Sequence, residues 1–200
     1  MMRVLAVLFA AALIPTAASA ERLKTAVFAG GCFWCVESDF DRVDGVVATV
    51  SGYTGGTLAN PSYRQVVSGG TGHAEAVAIT YDADRVSYET LLALFWRSVD
   101  PTDAGGQFCD RGQSYRTEVY VSGPAERALA EASRAAAAAE LGQDIVTEIT
   151  VATPFYEAEA YHQDFYLKSP LRYKAYRKGC GRDRRVKELW GDNRAFDHAS

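Results

Sequence analysis

Strand-like and helix-like segments follow one another in mixed order along this chain, and that order restricts the fold more than any other feature. Lys24 to Phe28 is a short apolar run that leads into Gly30-Gly31, and Cys32 to Phe40 then has the spacing of an amphipathic helix. Val46 to Tyr53 is rich in β-branched residues, and Ala76 to Tyr81 alternates in character. Both of these segments are predicted strands.

The second half of the chain continues this mixture until it reaches Val151. Further helices and strands are predicted over Tyr88 to Ser98, capped by Ser87, over Thr117 to Val121, from Pro124 to Gly142, and over Ile145 to Val151. Residues 153–200 are rich in Tyr, Phe and Arg with weak periodicity, which indicates a short helix and coil that wrap the body of the domain. We therefore expect an α+β domain, a two-layer ferredoxin-like sandwich of a mixed sheet and helices, with a coil-rich C-terminal segment.

The first twenty residues have the composition of a secretory signal peptide. Arg3 gives a basic start, Val4 to Ile14 is almost wholly apolar, and Ala18-Ser19-Ala20 is a small-residue cleavage site. The apolar run is shorter than the roughly 20 residues that a membrane-spanning helix needs. We expect residues 1–20 to be removed and residues 21–200 to form one exported domain, periplasmic or secreted. An uncleaved anchor is the alternative.

The balance of charge argues against nucleic-acid binding. The chain has 21 Lys and Arg residues against 25 Asp and Glu residues, which gives a net charge of −4. The basic stretch from Arg172 to Lys187 is interpreted as a solvated face, because acidic residues interrupt it. No glycine-rich phosphate loop stands in the required context, so no nucleotide cofactor is expected.

The cysteines give the strongest indication of function, because a domain of this length buries enough core to fold without disulfides. Cys32 directly follows the glycine turn at a predicted helix start, where unpaired N–H groups favour the nucleophilic thiolate. Phe33 and Trp34 add aromatic surfaces suited to a small apolar group. From these residues alone, a buried structural cysteine among core aromatics is an equally good interpretation.

Five sequence blocks are similar to those of the A-type peptide methionine sulfoxide reductases. They occur in the family's order between about Thr25 and Tyr173, which is most of the chain. The blocks are Gly31-Cys32-Phe33-Trp34, then Gly52-Tyr53 with Asn60-Pro61-Ser62-Tyr63-Arg64, then Thr71-Gly72-His73-Ala74-Glu75, then Asp110-Arg111-Gly112 with Tyr115-Arg116, and last Pro154-Phe155-Tyr156 with Ala158-Glu159 and His162-Gln163. The resemblance implies reduction of the S epimer of methionine sulfoxide in proteins and peptides, and of the free amino acid.

The resemblance also implies a role for each matched residue. Cys32 would attack the sulfoxide sulfur, and Phe33 and Trp34 would hold the methyl group of the substrate. Glu75 has the family's acid position, and burial among aromatics would raise its pKa so that it can protonate the oxygen. The other expected pocket residues are Tyr63 and Tyr115 as hydroxyl donors, Asp110 as a further polar group, and Tyr173 at the rim.

A second cysteine is needed after the attack, because the sulfenic acid formed at Cys32 condenses readily with a thiol. Family members use a cysteine in a mobile C-terminal segment. Cys180 lies between glycines in a tail of about residues 174–200, and we assign it this resolving role as a hypothesis. The chain departs from the better-known pattern, since Lys174 stands where a cysteine directly follows the position of Tyr173.

Cys35 is the other departure from the family, because many relatives have glycine at that position. It forms a C-x-x-C motif with Cys32. Our hypothesis pairs Cys35 with Cys109 in a second disulfide, while Cys180 resolves Cys32. Direct resolution of Cys32 by Cys35 is the alternative.

We expect an external thioredoxin-like protein or dithiol as reductant, oxidised exported proteins and peptides as substrates, a monomer, and no bound cofactor or metal. A thioredoxin-like disulfide oxidoreductase would use the same C-x-x-C, but Phe33-Trp34 is bulky and lacks the usual proline or histidine. A zinc module has enough ligands, but only Cys32 and Cys35 have paired spacing. A disulfide-stapled binding protein would leave the aromatic-flanked Cys32 without a role.

Overall fold

The computed structural model describes residues 22–198, so the expected signal peptide lies outside the described residues. The strands are β1 (Leu23–Gly30), β2 (Val46–Thr54), β3 (Ala74–Asp82), β4 (Gly106–Gln107), β5 (Asp110–Arg111), β6 (Thr117–Val121), β7 (Glu148–Val151) and β8 (Tyr156–Glu157). The α-helices are α1 (Phe33–Phe40), α2 (Tyr63–Val67), α3 (Tyr88–Trp96), α4 (Pro124–Leu141), α5 (Phe165–Lys168), α6 (Pro170–Cys180) and α7 (Arg182–Trp190). Short 3₁₀ helices cover Gln113–Tyr115 and Gly191–Asn193.

The main sheet has the strand order β7-β6-β1-β3-β2-β8 within the described part of the chain. β1 pairs antiparallel with both β3 and β6, and β2 pairs antiparallel with β3. The four central strands, with α1 and α3 as crossovers, therefore have the ferredoxin-like order. β7 adds a parallel edge to β6 through α4, and β8 adds an antiparallel edge to β2. The predicted α+β fold with a mixed sheet is confirmed.

The core lies between the sheet and the crossover helices. Leu91, Leu92 and Phe95 fall at helical spacing on α3 and are fully buried. The ring of Phe28 on β1 packs against Phe95 and Phe40, with ring centroids 4.9 and 5.7 Å apart. This packing fixes β1 and α1 against each other, and the turn between them carries Cys32.

The predicted helix ends are found where local chemistry required them. The Ser87 hydroxyl accepts the N–H of Thr90 at the start of α3. Pro124 is the first residue of α4, and Gly142 ends that helix in the left-handed conformation with φ of 63°.

The C-terminal segment differs from the expected short helix and coil, because three helices, α5, α6 and α7, account for most of residues 165–190. Its periodicity is weak because these helices bury few apolar residues. α6 buries Tyr173 and Arg177, and α7 buries Arg182, Val186 and Trp190. Each helix has an arginine on its buried face, so neither shows the continuous apolar stripe that predicts an amphipathic helix from sequence. Of the helices in residues 22–198, none combines the length and apolarity that a membrane crossing needs.

Candidate active site

The turn between β1 and α1 places Cys32 at the N-cap of α1. The Cys32 carbonyl accepts the N–H groups of Cys35 and Val36 at 3.1 and 3.3 Å. Gly31 has φ of 78°, and a Cβ there would lie 2.5 Å from the Cβ of Gln107. Only glycine fits this turn without displacing its neighbours, so the two glycines before Cys32 are structural requirements of the site.

Cys32 opens into a small cavity of about 50 Å³ that draws residues from six separate segments. The lining residues are Cys32, Phe33, Trp34, Tyr63, Glu75, Asp110, Tyr115 and Tyr176. Seven of these eight residues, all between positions 32 and 115, were predicted as site residues from the sequence. In the structure they line one cavity together with Tyr176, which was not predicted.

Glu75 lies on β3 and is 2% exposed. Its Oε2 accepts the backbone N–H of Phe33 at 3.0 Å. Burial raises the pKa of the Glu75 carboxyl well above its ordinary value, the Phe33 hydrogen bond opposes that rise, and the nearby charge of Asp110 adds to it. This environment favours the protonated carboxyl group, which is the form that can donate a proton.

Two tyrosine hydroxyls complete the polar side of the cavity. Burial and the charge of Glu75 raise the pKa of both Tyr63 and Tyr115, so both remain hydrogen-bond donors. Tyr63 is the first residue of α2, and its N–H donates to Glu159 Oε1 at 2.9 Å. The other oxygen of Glu159 accepts the hydroxyl of Tyr53 at 2.8 Å. Glu159 therefore fixes the start of α2 and the position of Tyr63.

Aromatic rings form another part of the cavity wall. Phe33 is buried, and the half-buried indole of Trp34 stacks on Phe165 with centroids 3.8 Å apart. The indole Nε1–H donates to Nδ1 of His162 at 3.0 Å. Accepting this bond places the imidazole proton on Nε2, and burial lowers the pKa of His162, so the ring is neutral. The wall is held by stacking on one side and by a hydrogen bond on the other.

Tyr176 on α6 was missed from the sequence. Its hydroxyl donates to Asp110 Oδ2, and its ring lies edge-on to Trp34. Tyr176 lies one helical turn before Cys180 on α6, on the same face of the helix. A correct prediction of α6 would therefore have placed Tyr176 beside Cys180, which was already a predicted site residue. Burial raises the pKa of Asp110, although the Tyr176 hydrogen bond opposes this rise.

Tyr173 does not line the cavity, which corrects the prediction that it stands at the rim. It is buried in a cluster with Cys32, Cys35 and Phe165. Its hydroxyl accepts Nη1–H of Arg177 at 2.9 Å. Tyr176 is three positions after Tyr173 on α6, and of the two it is Tyr176 that lines the cavity.

The disulfide pairing also differs from the hypothesis. Cys109 is bonded to Cys180 with Cα atoms 4.8 Å apart, and Cys32 and Cys35 are free thiols. A Cys35–Cys109 bridge is therefore wrong, because Cys35 is buried in the first turn of α1 while Cys109 lies on the exposed β4–β5 hairpin beside the end of α6. The bonded sulfurs lie 3.8 Å from the carboxylate oxygens of Asp110.

The pKa directions within the C-x-x-C run against the expected thiolate at Cys32. Burial raises the pKa of the Cys32 thiol, which is 6% exposed, and the charges of Cys35 and Glu75 raise it further. The pKa of Cys35 is lowered because it accepts a hydrogen bond from Cys32, and Arg182 and Arg177 add to this effect against the cost of burial. Negative charge is favoured at Cys35 and disfavoured at Cys32.

Two arginines of the basic stretch are buried, so its interpretation as a solvated face is wrong for them. Arg177 is 5% exposed and Arg182 is 1% exposed. Arg182 donates to the carbonyls of Gly30 and Ser98 at 3.0 and 2.9 Å. The Gly30 carbonyl belongs to the turn that carries Cys32, so Arg182 links α7 to that turn by a hydrogen bond.

Comparison with known proteins gives a consistent result. A family profile described as "Peptide methionine sulfoxide reductase" matches residues 24–194. The chain is 55% identical to peptide methionine sulfoxide reductase MsrA 2 of Caulobacter vibrioides, over 95% of this chain and all of the relative. It is 52% identical to peptide methionine sulfoxide reductase MsrA of Bacillus subtilis, over 86% of this chain and 98% of the relative.

A solved structure extends the similarity to the fold. Reduced Mxr1 from Saccharomyces cerevisiae matches with a TM-score of 0.72 and 29% identity, over 74% of this chain and 87% of that one. Mxr1 has also been crystallised in complex with Trx2; that structure is 20% identical with a TM-score of 0.52, over 77% of this chain and 94% of that one.

Proposed function

The chain belongs to the peptide methionine sulfoxide reductase family, and from that premise we propose how its residues divide the reaction. The protein reduces the S epimer of methionine sulfoxide in proteins and peptides to methionine. One observation carries the assignment of the site: a thiol and a buried carboxyl group, from segments more than forty residues apart, face one small cavity with an aromatic wall.

Cys32 is the nucleophile and Glu75 is the acid. The Cys32 sulfur attacks the sulfoxide sulfur, and the Glu75 carboxyl protonates the sulfoxide oxygen. The products are methionine and Cys32 sulfenic acid. The hydroxyls of Tyr63 and Tyr115 donate hydrogen bonds to the oxygen, which keeps it oriented toward the acid.

Phe33 and Trp34 bind the methyl group of the substrate. A cavity of about 50 Å³ has room for a small apolar group and excludes a bulky one. Asp110 and Tyr176, joined by their hydrogen bond, also line the cavity. This arrangement supports selection of the methyl sulfoxide end of an oxidised methionine side chain.

Cys35 resolves the sulfenic acid. It is one helical turn from Cys32 and is a free thiol, whereas Cys180 is already bonded to Cys109. Condensation of Cys32 sulfenic acid with the Cys35 thiol gives a disulfide and water. A thioredoxin-like dithiol protein then reduces this disulfide. Mxr1, which has the same fold, has been crystallised in complex with Trx2, and this supports the choice of reductant by analogy.

Export of the protein and repair of oxidised exported proteins are part of the proposal. The support is the signal-peptide pattern of residues 1–20 together with the Cys109–Cys180 disulfide, a bond that persists in oxidising compartments. The measurement is the mass of the protein recovered from each cell fraction. We expect a mature chain that begins at Glu21 outside the cytoplasm. Recovery of a full-length chain in the cytoplasmic fraction alone contradicts export.

The decisive assay uses residues 21–200 with each epimer of a methionine sulfoxide peptide and dithiothreitol. We expect reduction of the S epimer, no turnover by Cys32→Ser, and a loss of about 100-fold or more for Glu75→Gln. Glu148→Gln is the matched control, because Glu148 is exposed on β7 away from the cavity. Equal rates for wild type and Cys32→Ser remove the mechanism.

A further inference from the structure

Two arginines whose charges act on Cys35 of the C-x-x-C motif have buried guanidinium groups. Arg177 on α6 is paired with two carboxylates, Asp39 at 2.9 Å and Asp183 at 2.7 Å. Arg182 on α7 directs Nη1 and Nη2 to neutral carbonyl oxygens, and its guanidinium lies 4.8 Å from the ring centroid of Phe108. The two arginines thus differ in how well their charges are compensated.

The carboxylate of Asp39 contacts three side chains, so it does not fully neutralise the charge of Arg182. It binds Arg177, it is 2.6 Å from Nε2 of His198, and it lies 4.0 Å from Nε of Arg182. Among residues 22–198, no other carboxylate lies within 4.0 Å of Arg182, and its Nε has no hydrogen-bond partner. A buried charge without a full partner is costly, so the site calls for another anion.

Cys35 is placed to supply that anion. It is 2% exposed and precedes Asp39 by four residues on α1, so both side chains lie on the same face of the helix. Tyr173, which is hydrogen-bonded to Arg177, packs in the same cluster as Cys35. The titratable and charged groups around Cys35 are Cys32 and Asp39 on α1, Glu75 on β3, Tyr173, Tyr176 and Arg177 on α6, and Arg182 on α7.

We propose that Arg182, assisted by Arg177, is a positioning residue that holds Cys35 as the thiolate of the reduced enzyme, and that this thiolate takes the proton of Cys32 during the attack. The inference rests on the proposed function and deepens it. It gives Cys35 two successive tasks, first as the base for Cys32 and then as the resolving thiol. Arg182 acts only through Cys35.

The step balances in atoms and electrons. The Cys32 S–H bond breaks, its proton passes to Cys35, and the Cys32 sulfur bonds to the substrate sulfur. Glu75 protonates the oxygen, which passes to Cys32 as the hydroxyl of the sulfenic acid. Cys32 loses two electrons, and the substrate sulfur gains them. Cys35 then displaces the hydroxyl as water and forms the disulfide. The two hydrogens of the reducing dithiol restore Cys32 and Glu75.

The first test asks which sulfur is ionised. In a Cys109→Ser/Cys180→Ser background, the ultraviolet absorbance of thiolate is measured at neutral pH for Cys32→Ser and for Cys35→Ser. Serine keeps a hydroxyl donor at either position. We expect the absorbance to persist in Cys32→Ser and to vanish in Cys35→Ser. The opposite pattern overturns the inference, and it leaves the proposed function intact if Cys32→Ser is inactive.

The second test asks whether Arg182 causes the ionisation. We expect Arg182→Met to raise the midpoint of the Cys35 titration by about one pH unit or more, a tenfold loss of thiolate below that midpoint. Arg182→Lys should restore part of the shift. The pH profile of single-turnover sulfoxide reduction should move with the titration. Arg184→Met is the control, because Arg184 is exposed on the same helix.

An unchanged midpoint in folded Arg182→Met contradicts the role of Arg182. Circular dichroism establishes whether that variant folds. If it does not fold, the comparison of Cys32→Ser with Cys35→Ser decides the inference alone. An active Cys32→Ser enzyme is a separate result, because it removes the proposed function itself.

Discussion

The carboxyl group of Glu75 receives one hydrogen bond, from the N–H of Phe33, and shares its cavity with aromatic side chains, the Cys32 thiol and the Asp110 carboxyl group. One donor is too few to compensate the loss of water around a carboxylate. The same residue on an exposed strand would be ionised at neutral pH. The acid function that we propose for Glu75 therefore depends on where β3 places it, and the raised pKa of its carboxyl group has a consequence for stability.

Replacing Glu75 by glutamine should stabilise the protein at neutral and alkaline pH while it lowers activity. Because the folded-state pKa of Glu75 is raised, its contribution to stability is complete below the unfolded pKa and is lost as pH rises through the folded value. Glutamine stays neutral and shows no such loss. The measurement is the thermal midpoint of both proteins across pH. A parallel decline of the two midpoints contradicts the prediction.

His162 should act on substrate binding through Trp34. His162→Phe leaves the indole N–H without its acceptor, at a cost of about 1–3 kcal/mol, and frees the ring to rotate. We expect KM for a sulfoxide peptide to rise about tenfold with little change in kcat. His162→Gln offers a replacement oxygen and should recover most of the affinity. Equal KM values for the two variants would show that the hydrogen bond has no such role.

Sequence motifs identified the cavity residues Cys32 to Tyr115 because each lies inside a recognisable block. Tyr176 and Arg182 lie in no such block. Tyr176 reaches the cavity because it lies on one face of helix α6, and Arg182 matters because it is buried. A stretch that is rich in basic residues and poor in apolar ones does not reveal either the helix face or the burial. The lowered pKa of Cys35 could not be predicted from the sequence either, since besides the hydrogen bond from Cys32 it depends on two arginines more than 140 residues away.

At the scale of elements, the boundaries that were predicted well are those set by local chemistry. Ser87, Pro124 and Gly142 each satisfy a requirement of a helix end within their own few residues. The pairing order of the strands was not predictable in this way, because β1 meets β3 and β6 across long stretches of chain. Helices α6 and α7 were missed because their buried faces are partly cationic.

The C-cap of α4 gives a test of this local chemistry. Gly142→Ala should lower the free energy of unfolding by about 1–2 kcal/mol, because alanine is strained at φ of 63°. Gly123→Ala at the other end of the helix is the control, since its backbone is extended and its Cβ would meet nothing. Urea denaturation measures both, and activity should be unchanged. Equal losses of stability would contradict the conformational argument.

At the scale of the whole molecule, the Cys109–Cys180 disulfide joins the β4–β5 hairpin to the end of α6 across a separation of 71 residues. Closing a loop of this length restricts the unfolded chain. The bond also ties together the segments that supply Asp110 and Tyr176. One covalent link therefore bears on both the stability of the domain and the geometry of the cavity.

Removing the disulfide with Cys109→Ala/Cys180→Ala should lower the free energy of unfolding by about 4 kcal/mol. Dithiothreitol should destabilise wild type by a similar amount and leave the double variant unaffected. Urea denaturation with and without the reductant measures the difference. Equal stability of oxidised wild type and the double variant contradicts the prediction.

The turn that carries Cys32 is made early in the chain, but the groups that support it come from α6 and α7, near its end. A nascent polypeptide that has left the ribosome only as far as β8 holds the nucleophile, the acid and both tyrosines, yet has neither Tyr176 nor Arg182. We therefore expect full catalytic competence only after α6 and α7 have been synthesised. Until then, the Cys32 sulfur lacks part of the surroundings that the folded domain gives it.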